Sequence, residues 1–137
     1  MKNESIVFKY LLTIKEKHLD TFGHVNNATY LEIFEEARWE LITSRGYGIT
    51  ECHSLHIGPI VLGVDMKFKK ELRNREDTVI LTRCFDYVAK IAKIEQILLN
   101  SKGEEACVAV FTFGLFDLKE RKLILPTPKW LHAIDMA

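Results

Sequence analysis

The sequence predicts an α+β fold built on a single long helix, and three observations carry that prediction. Residues 26–45 place apolar side chains at helical spacing without a break. Five other stretches show the period-two alternation or the β-branched and aromatic enrichment of strands. Those strands outnumber what one helix can cover on both faces, so the sheet has to curve around the helix and leave its other face to something else. The chain has 137 residues, the length of one domain, and residues 1–137 are read as a single unit.

Composition narrows the class further. The chain is 47% hydrophobic and 28% charged, which excludes a disordered or fibrous protein. Lys plus Arg and Asp plus Glu both number 19, so there is no basic excess for a phosphate backbone and no nucleic-acid partner is expected. A net charge of zero also gives little protection against self-association. Cys52, Cys84 and Cys107 form no CxxC and read as buried thiols of a reducing, cytoplasmic setting. The N-terminus lacks an export pattern and no apolar run is long enough to span a membrane. No internal repeat is visible.

In order, the first strand lies within Ser5–Lys15, where Ile6, Phe8, Tyr10, Leu12 and Ile14 share one side. Lys15 to Val25 is an irregular connection. Asn26 or Asn27 caps the helix, which runs to Ser44 or Arg45 and stops at Gly46 and Gly48. Tyr30, Phe34, Ala37 and Leu41 form its apolar stripe. Glu32, Glu35, Glu36 and Glu40 cover much of the opposite side, and the early acids suit the helix dipole. Ile49–Gly58 reads as a loop with room for a helical turn. Pro59–Phe68 is the second strand, bulged at Gly63. Lys69–Asp77 is a charged connection, Thr78–Tyr87 the third strand, Ala89-Lys90 a turn and Ile91–Leu99 the fourth strand. Gly103 sits in a hairpin turn, and Glu105–Leu118, apolar on both faces, is a central fifth strand. Leu118–Leu123 is a charged break before a short helical tail at Lys129–Met136. The last four strands read as a meander-like antiparallel succession.

The chemistry concentrates in His18–Arg38. Asp20 lies in the connection, followed by Phe22-Gly23-His24 and Asn26-Asn27. An acid beside a Gly turn, just ahead of a helix, sets a carboxylate near free backbone N–H donors. That suits attack at a carbonyl carbon. The residues alone leave other readings open. Asp20 can cap a turn. His24 can be a loop histidine, an orienter of Asp20 or a substrate contact. Tyr30 fits packing with Phe34, and Glu35 can pair with Arg38 at i,i+3. His18, Asp20 and His24 are metal-ligating types, but their spacing matches no metal motif, so no metal and no cofactor is expected. The basic run Lys67, Lys69, Lys70, Arg73 and Arg75 is a solvated edge, or a docking surface for phosphates or an acidic carrier protein.

The element order and the motif D-x-x-G-H-V-N-N-x-x-Y-L-x-x-F-E-x-A-R, from Asp20 to Arg38, resemble the hotdog-fold thioesterases. The resemblance points to the 4-hydroxybenzoyl-CoA thioesterase group with its acyl-CoA and acyl-carrier-protein relatives. Gly58-Pro59-Ile60-Val61 is a second match. The resemblance implies a curved five-stranded antiparallel sheet wrapped around one long central helix, and a homodimer or homotetramer with sites shared between subunits. It implies hydrolysis of a small-molecule acyl thioester, carried by coenzyme A or acyl-carrier protein. Asp20 becomes nucleophile or general base, and backbone N–H groups from about Asn26 to Ala28 become oxyanion donors. His24 and Asn27 join Asp20 as catalytic candidates. Gly23, Asn26, Ala28, Tyr30, Pro59, Ile60, Val61 and Lys90 are substrate-binding candidates. The acyl pocket is expected around Trp39, Phe22, Ile57 and Val61. Two departures stand out: His18 occupies a position where many relatives carry a second aspartate, and the turn Tyr87–Lys90 offers one lysine where some have paired basic residues. A hydratase or dehydratase, or a non-catalytic acyl-thioester binding module, are the alternatives.

Overall fold

The computed structural model describes residues 3–136. Along the chain the elements are β1 (Phe8–Thr13), a 3-10 turn (Glu16–His18), α1 (Asn27–Ser44), α2 (Ile49–Leu55) and β2 (Ile57–Phe68). They continue with β3 (Asp77–Val88), β4 (Ile91–Leu99), β5 (Glu105–Asp117), β6 (Lys122–Ile124) and α3 (Pro128–Ala133). The strands form one antiparallel sheet in the order β1-β3-β4-β5-β2, with β6 paired to the end of β5.

Two expectations about the sheet are corrected. It has six strands, not five, because the charged break contains β6. Asp117 Oδ1 accepts N–H groups of Lys119 and Glu120 at 2.9 and 3.0 Å and turns the chain back on itself. A strand of three residues is too short to show a period in sequence. The succession is also not a simple meander. β3, β4 and β5 are consecutive neighbours, but β2 pairs with β5, from Ile57 opposite Asp117 to Phe68 opposite Cys107. The charged connection after Phe68 therefore crosses the end of the sheet to reach β3.

β2 begins two residues before the expected Pro59. It tolerates Pro59 because it is an edge strand with a single neighbour. Its register shifts between Val61 and Gly63, leaving Leu62 as the extra residue, the bulge read from the sequence. Val61, Leu62, Val64 and Phe68 are exposed along this edge. At the other edge Ile6 precedes β1 and is exposed rather than part of its inner row.

α1 lies across one face of the sheet. Tyr30, Ile33, Phe34, Ala37, Leu41 and Ile42 are its buried residues, at the spacing of one helical face. Phe34 meets Phe111 of β5 edge-on at 6.1 Å, and Tyr30 tilts against Phe68 of β2 at 5.3 Å. Each such side chain withdrawn from water contributes roughly 1.5–3 kcal/mol. The first turn of α1 contains no acid, so the expected dipole pairing is absent there. Glu32 falls in the second turn, where the dipole effect has faded. Asn26 caps the helix instead, accepting Thr29 N–H at 2.9 Å. Gly46, with φ of 86°, supplies the left-handed stop.

The loop expected at 49–58 is mostly α2, whose capping Gly48 N–H donates to Glu51 Oε1 at 2.7 Å. α3 occupies the expected tail, with Pro128 in its first turn and Thr127 as cap. No helix among the described residues is long and apolar enough to cross a membrane.

Candidate active site

The turn before α1 is built around the Asp20 carboxylate. Asp20 Oδ1 accepts the backbone N–H groups of Phe22 at 2.9 Å and His24 at 3.1 Å. Asp20 N–H donates to His24 O at 2.8 Å, and Gly23 N–H donates to Asp20 O at 3.0 Å. Gly23 has φ of 80°, a conformation that glycine adopts at no steric cost. A bridge between Leu19 and Val25 closes the base of the loop. One carboxylate oxygen is thus clamped, and Oδ2 has no hydrogen bond among the described residues. Asp20 is exposed in the single chain.

Beside it, the start of α1 offers donors. Thr29 N–H is taken by the Asn26 side chain, and Tyr30 N–H by Asn26 O at 3.2 Å. The N–H groups of Asn27 and Ala28 have no partner among the described residues. They are the two orphan donors left at the helix start. His24, Asn27 and Tyr30 line a cleft of about 310 Å³ together with Phe68, Lys70 and Glu71. Burial pushes the Tyr30 hydroxyl up to about 12, so it stays a neutral donor at physiological pH. The His24 ring does not reach for Asp20. Its Nε2 meets Glu71 Oε1 at 2.9 Å, and only its backbone N–H holds the carboxylate.

His18 answers what stands where relatives carry an acid. It is buried, and its Nδ1 accepts Lys15 N–H at 2.9 Å, so the proton of the neutral ring sits on Nε2. Burial lowers its pKa. The histidine staples the 3-10 turn that leads into the Asp20 loop, and the side chains of His18, Asp20 and His24 do not bond one another.

The other candidates lie elsewhere. Pro59, Ile60 and Val61 line a cavity of about 260 Å³ under the middle of α1. Lys90 is exposed at the β3–β4 turn, at the opposite end of β3 from the residues next to the Asp20 loop. Of the pocket residues expected from the sequence, Trp39 and Val61 line this cavity. Phe22 is 85% exposed on the Asp20 loop, and Ile57 is not in the wall. Twelve residues of helix, ~18 Å, separate Asn27 from Trp39.

The cavity wall also holds Arg38, for which the sequence offered Glu35 as one candidate partner. Arg38 turns instead to β4, where NH1 donates to Gln96 Oε1 at 2.9 Å, and its guanidinium stacks 4.3 Å from the Phe111 ring centre. Burial draws its pKa down to about 10 against the opposing pull of Glu35, so it remains a cation at neutral pH. Gln96 is fully buried and donates to Phe34 O and Thr82 Oγ1, both at 3.0 Å. Sequence reasoning missed Gln96, although Ala92, Ile94, Gln96 and Leu98 alternate on the inward side of β4. A lone polar residue in that row was the signal. Glu71 carried no such signal, because only the crossing of the connection after β2 brings it to His24.

The basic run is largely neutralised. Lys69 meets Glu105 at 2.8 Å, Lys70 meets Glu104 at 3.7 Å, Arg75 meets Glu16 at 2.5 Å and Lys67 meets Asp65 at 3.9 Å. These are exposed pairs of small individual weight.

Comparison with known proteins follows the same line. A family model described as the thioesterase-like superfamily matches residues 15–134. The long-chain acyl-CoA thioesterase FadM of Escherichia coli (strain K12) is 28% identical over 115 residues, covering 82% of this chain and 86% of that protein. A Staphylococcus aureus protein solved in complex with CoA superposes with a TM-score of 0.86 at 18% identity, over 95% of this chain and 82% of its own. The YbaW probable thioesterase from Escherichia coli does so with a TM-score of 0.80 at 22% identity, over 93% of this chain and 96% of its own. The 1,4-dihydroxy-2-naphthoyl-CoA thioesterase of Synechocystis gives 0.85 at 15% identity, over 94% and 96%. The sheet folded over α1 is the hotdog fold of these structures, and with nearly its whole length matched the chain belongs to the thioesterase-like superfamily.

Proposed function

We propose that the protein hydrolyses acyl-CoA thioesters to the free acid and coenzyme A, with Asp20 as the reacting carboxylate. The observation that carries this reading is the juxtaposition at the start of α1: a carboxylate with one oxygen clamped and one open, next to two backbone N–H groups without partners. A thioester carbonyl held by Asn27 and Ala28 N–H would gain stabilisation as its oxygen becomes negative, typically ~3 kcal/mol per donor. Oδ2 then attacks the carbonyl carbon directly, or takes a proton from the water that does. In the direct route the thiolate leaves and an acyl–aspartyl anhydride forms, which water then hydrolyses. In either route water supplies the new oxygen of the acid, and coenzyme A leaves as the thiolate and takes up a proton. Coenzyme A is favoured over a carrier protein because the curated relative FadM is an acyl-CoA thioesterase.

The complete site is composed of two copies in this reading. The cavity with Pro59, Ile60 and Val61 begins at Glu35, ~12 Å along α1 from Asn27 of the same chain, and extends beyond Trp39, ~18 Å along it. Exposed apolar residues on the β2 edge favour pairing with a second copy, which brings one chain's Asp20 towards the other's cavity. A cytoplasmic location fits the three buried free thiols.

The test is thiol release from acyl-CoA substrates by wild type and Asp20→Asn, with the solution mass measured by light scattering. Asn keeps an oxygen to accept the Phe22 and His24 N–H groups, so the loop stays folded. The variant is expected to lose at least ~100-fold in kcat, at a mass of two or more chains. Unchanged turnover would remove Asp20 from the mechanism, and a monomer would remove the shared site.

A further inference from the structure

We infer that Trp39 determines which acyl chain lengths the protein accepts, as the side-chain partition between two largely apolar cavities. The inference rests on the thioesterase reading for its substrate class and extends it to the length of an unsubstituted hydrocarbon chain. The inner cavity, about 260 Å³, lies between α1 and the sheet, with Ile94, Phe113 and Trp130 in its wall. An outer groove of about 270 Å³ runs over the end of β2 and β5, lined by Cys52, Phe116 and Leu118 among others. Trp39, Pro59 and Ile60 belong to both walls.

Those three residues are not equally free. Pro59 and Ile60 belong to β2 and pair with Leu115 and Gly114 of β5, so their positions are set by the sheet. The Trp39 indole projects from α1, is only half-buried and engages in no aromatic pair among the described residues. Its side chain is the largest in the shared wall, and a substitution can remove it without touching a backbone hydrogen bond.

Volume gives the partition its consequence. Small-molecule sites span roughly 300–1,000 Å³, so either space alone falls just short and the two joined fall within the range. The apolar part of the walls selects hydrocarbon. Within the inner cavity Arg38 and Thr82 are already bonded to Gln96, and the polar Glu35 of that wall, like His53 and Arg121 of the outer groove, is exposed to solvent. The chain that fits is saturated or unsaturated alkyl, with its distal methylenes stopped at the indole.

The experiment is a ladder of straight-chain acyl-CoA substrates, assayed for kcat/KM on wild type, Trp39→Phe and Trp39→Ala. Binding of the matching non-hydrolysable thioether analogues is measured by calorimetry on the same proteins. Each additional buried methylene is expected to strengthen binding about fourfold until the chain meets the partition, after which the gain stops. In Trp39→Ala the break moves to longer chains by several methylenes, and in Trp39→Phe by fewer. A break at the same length in wild type and in a folded variant overturns the assignment, and Trp39→Phe supplies that variant where Trp39→Ala does not fold. Analogue binding separates the two readings. A shifted break in affinity without any turnover keeps Trp39 and removes the thioesterase, whereas turnover with an unshifted break does the reverse.

Discussion

The two ends of α1's working surface are built in opposite ways. At its N-terminus the site is exposed, polar and made mostly of backbone. Asp20 is held by two N–H groups, and two more N–H groups at the helix start are left open. Half-way along, the cavity is buried, apolar and made of side chains from α1, β2, β3, β4, β5 and α3. The first needs a carboxylate kept near water and free to react. In the second, the polar groups on the sheet side of the wall, Arg38 and Thr82, are both satisfied by the buried Gln96 behind them. The contrast teaches that one helix carries two differently built places: local backbone geometry shapes its start, and tertiary packing shapes its middle.

Substitutions at the two places should therefore fail differently. The largest stability effect is expected at the buried network. Gln96→Leu removes three hydrogen bonds at once and strands the Arg38 cation over Phe111. Urea unfolding should give a loss of ~3 kcal/mol. A loss below 1 kcal/mol would mean that the network is not what keeps the middle of α1 in place.

A smaller effect is expected at the exposed end. Asn26→Ala deletes the cap on Thr29 N–H and should cost about 1 kcal/mol in thermal or urea unfolding. Its effect on turnover should exceed its effect on stability, because the frayed turn is the one that presents Asn27 and Ala28 N–H. Equal wild-type activity in the capless variant would separate the donors from the function proposed for them.

The smallest effect is a pH dependence. Burial lowers the pKa of His18 in the folded chain, so the unfolded chain binds its proton first as pH falls. The stability tied to neutral His18 is complete above the unfolded value of about 6.5 and is lost progressively as pH falls from there towards the folded value. His18→Asn, which keeps an acceptor for Lys15 N–H, should flatten this acid limb of the unfolding midpoint. An unaltered limb would assign the acid sensitivity to other groups.

How much of this was legible in the sequence follows the same division. The helix from Asn27 to Ser44, its asparagine cap, the Gly23 turn and the bulge beside Gly63 depend on residues a few positions apart, and periodicity and turn chemistry expose them. β6 was hidden because it owes its existence to a partner, the end of β5, and not to its own three residues. The partner of Arg38 stays open in the sequence because helical spacing offers Glu35, while the buried amide that takes the guanidinium lies on β4. His24 met a carboxylate as its chemistry suggested, but the carboxylate is Glu71, delivered by a connection whose path depends on strand order.

The sequence by itself determined the α+β class, the one long helix and the placing of Asp20 ahead of free helix donors, since each of these arises from contacts between near neighbours in the chain. Only the tertiary structure decided that β2 stands at the edge beside β5, that Lys90 lies far from Asp20 within one chain, and that Trp39 divides two cavities. Those facts depend on which distant segments pack together, and packing is a property of the whole folded surface that no local pattern records.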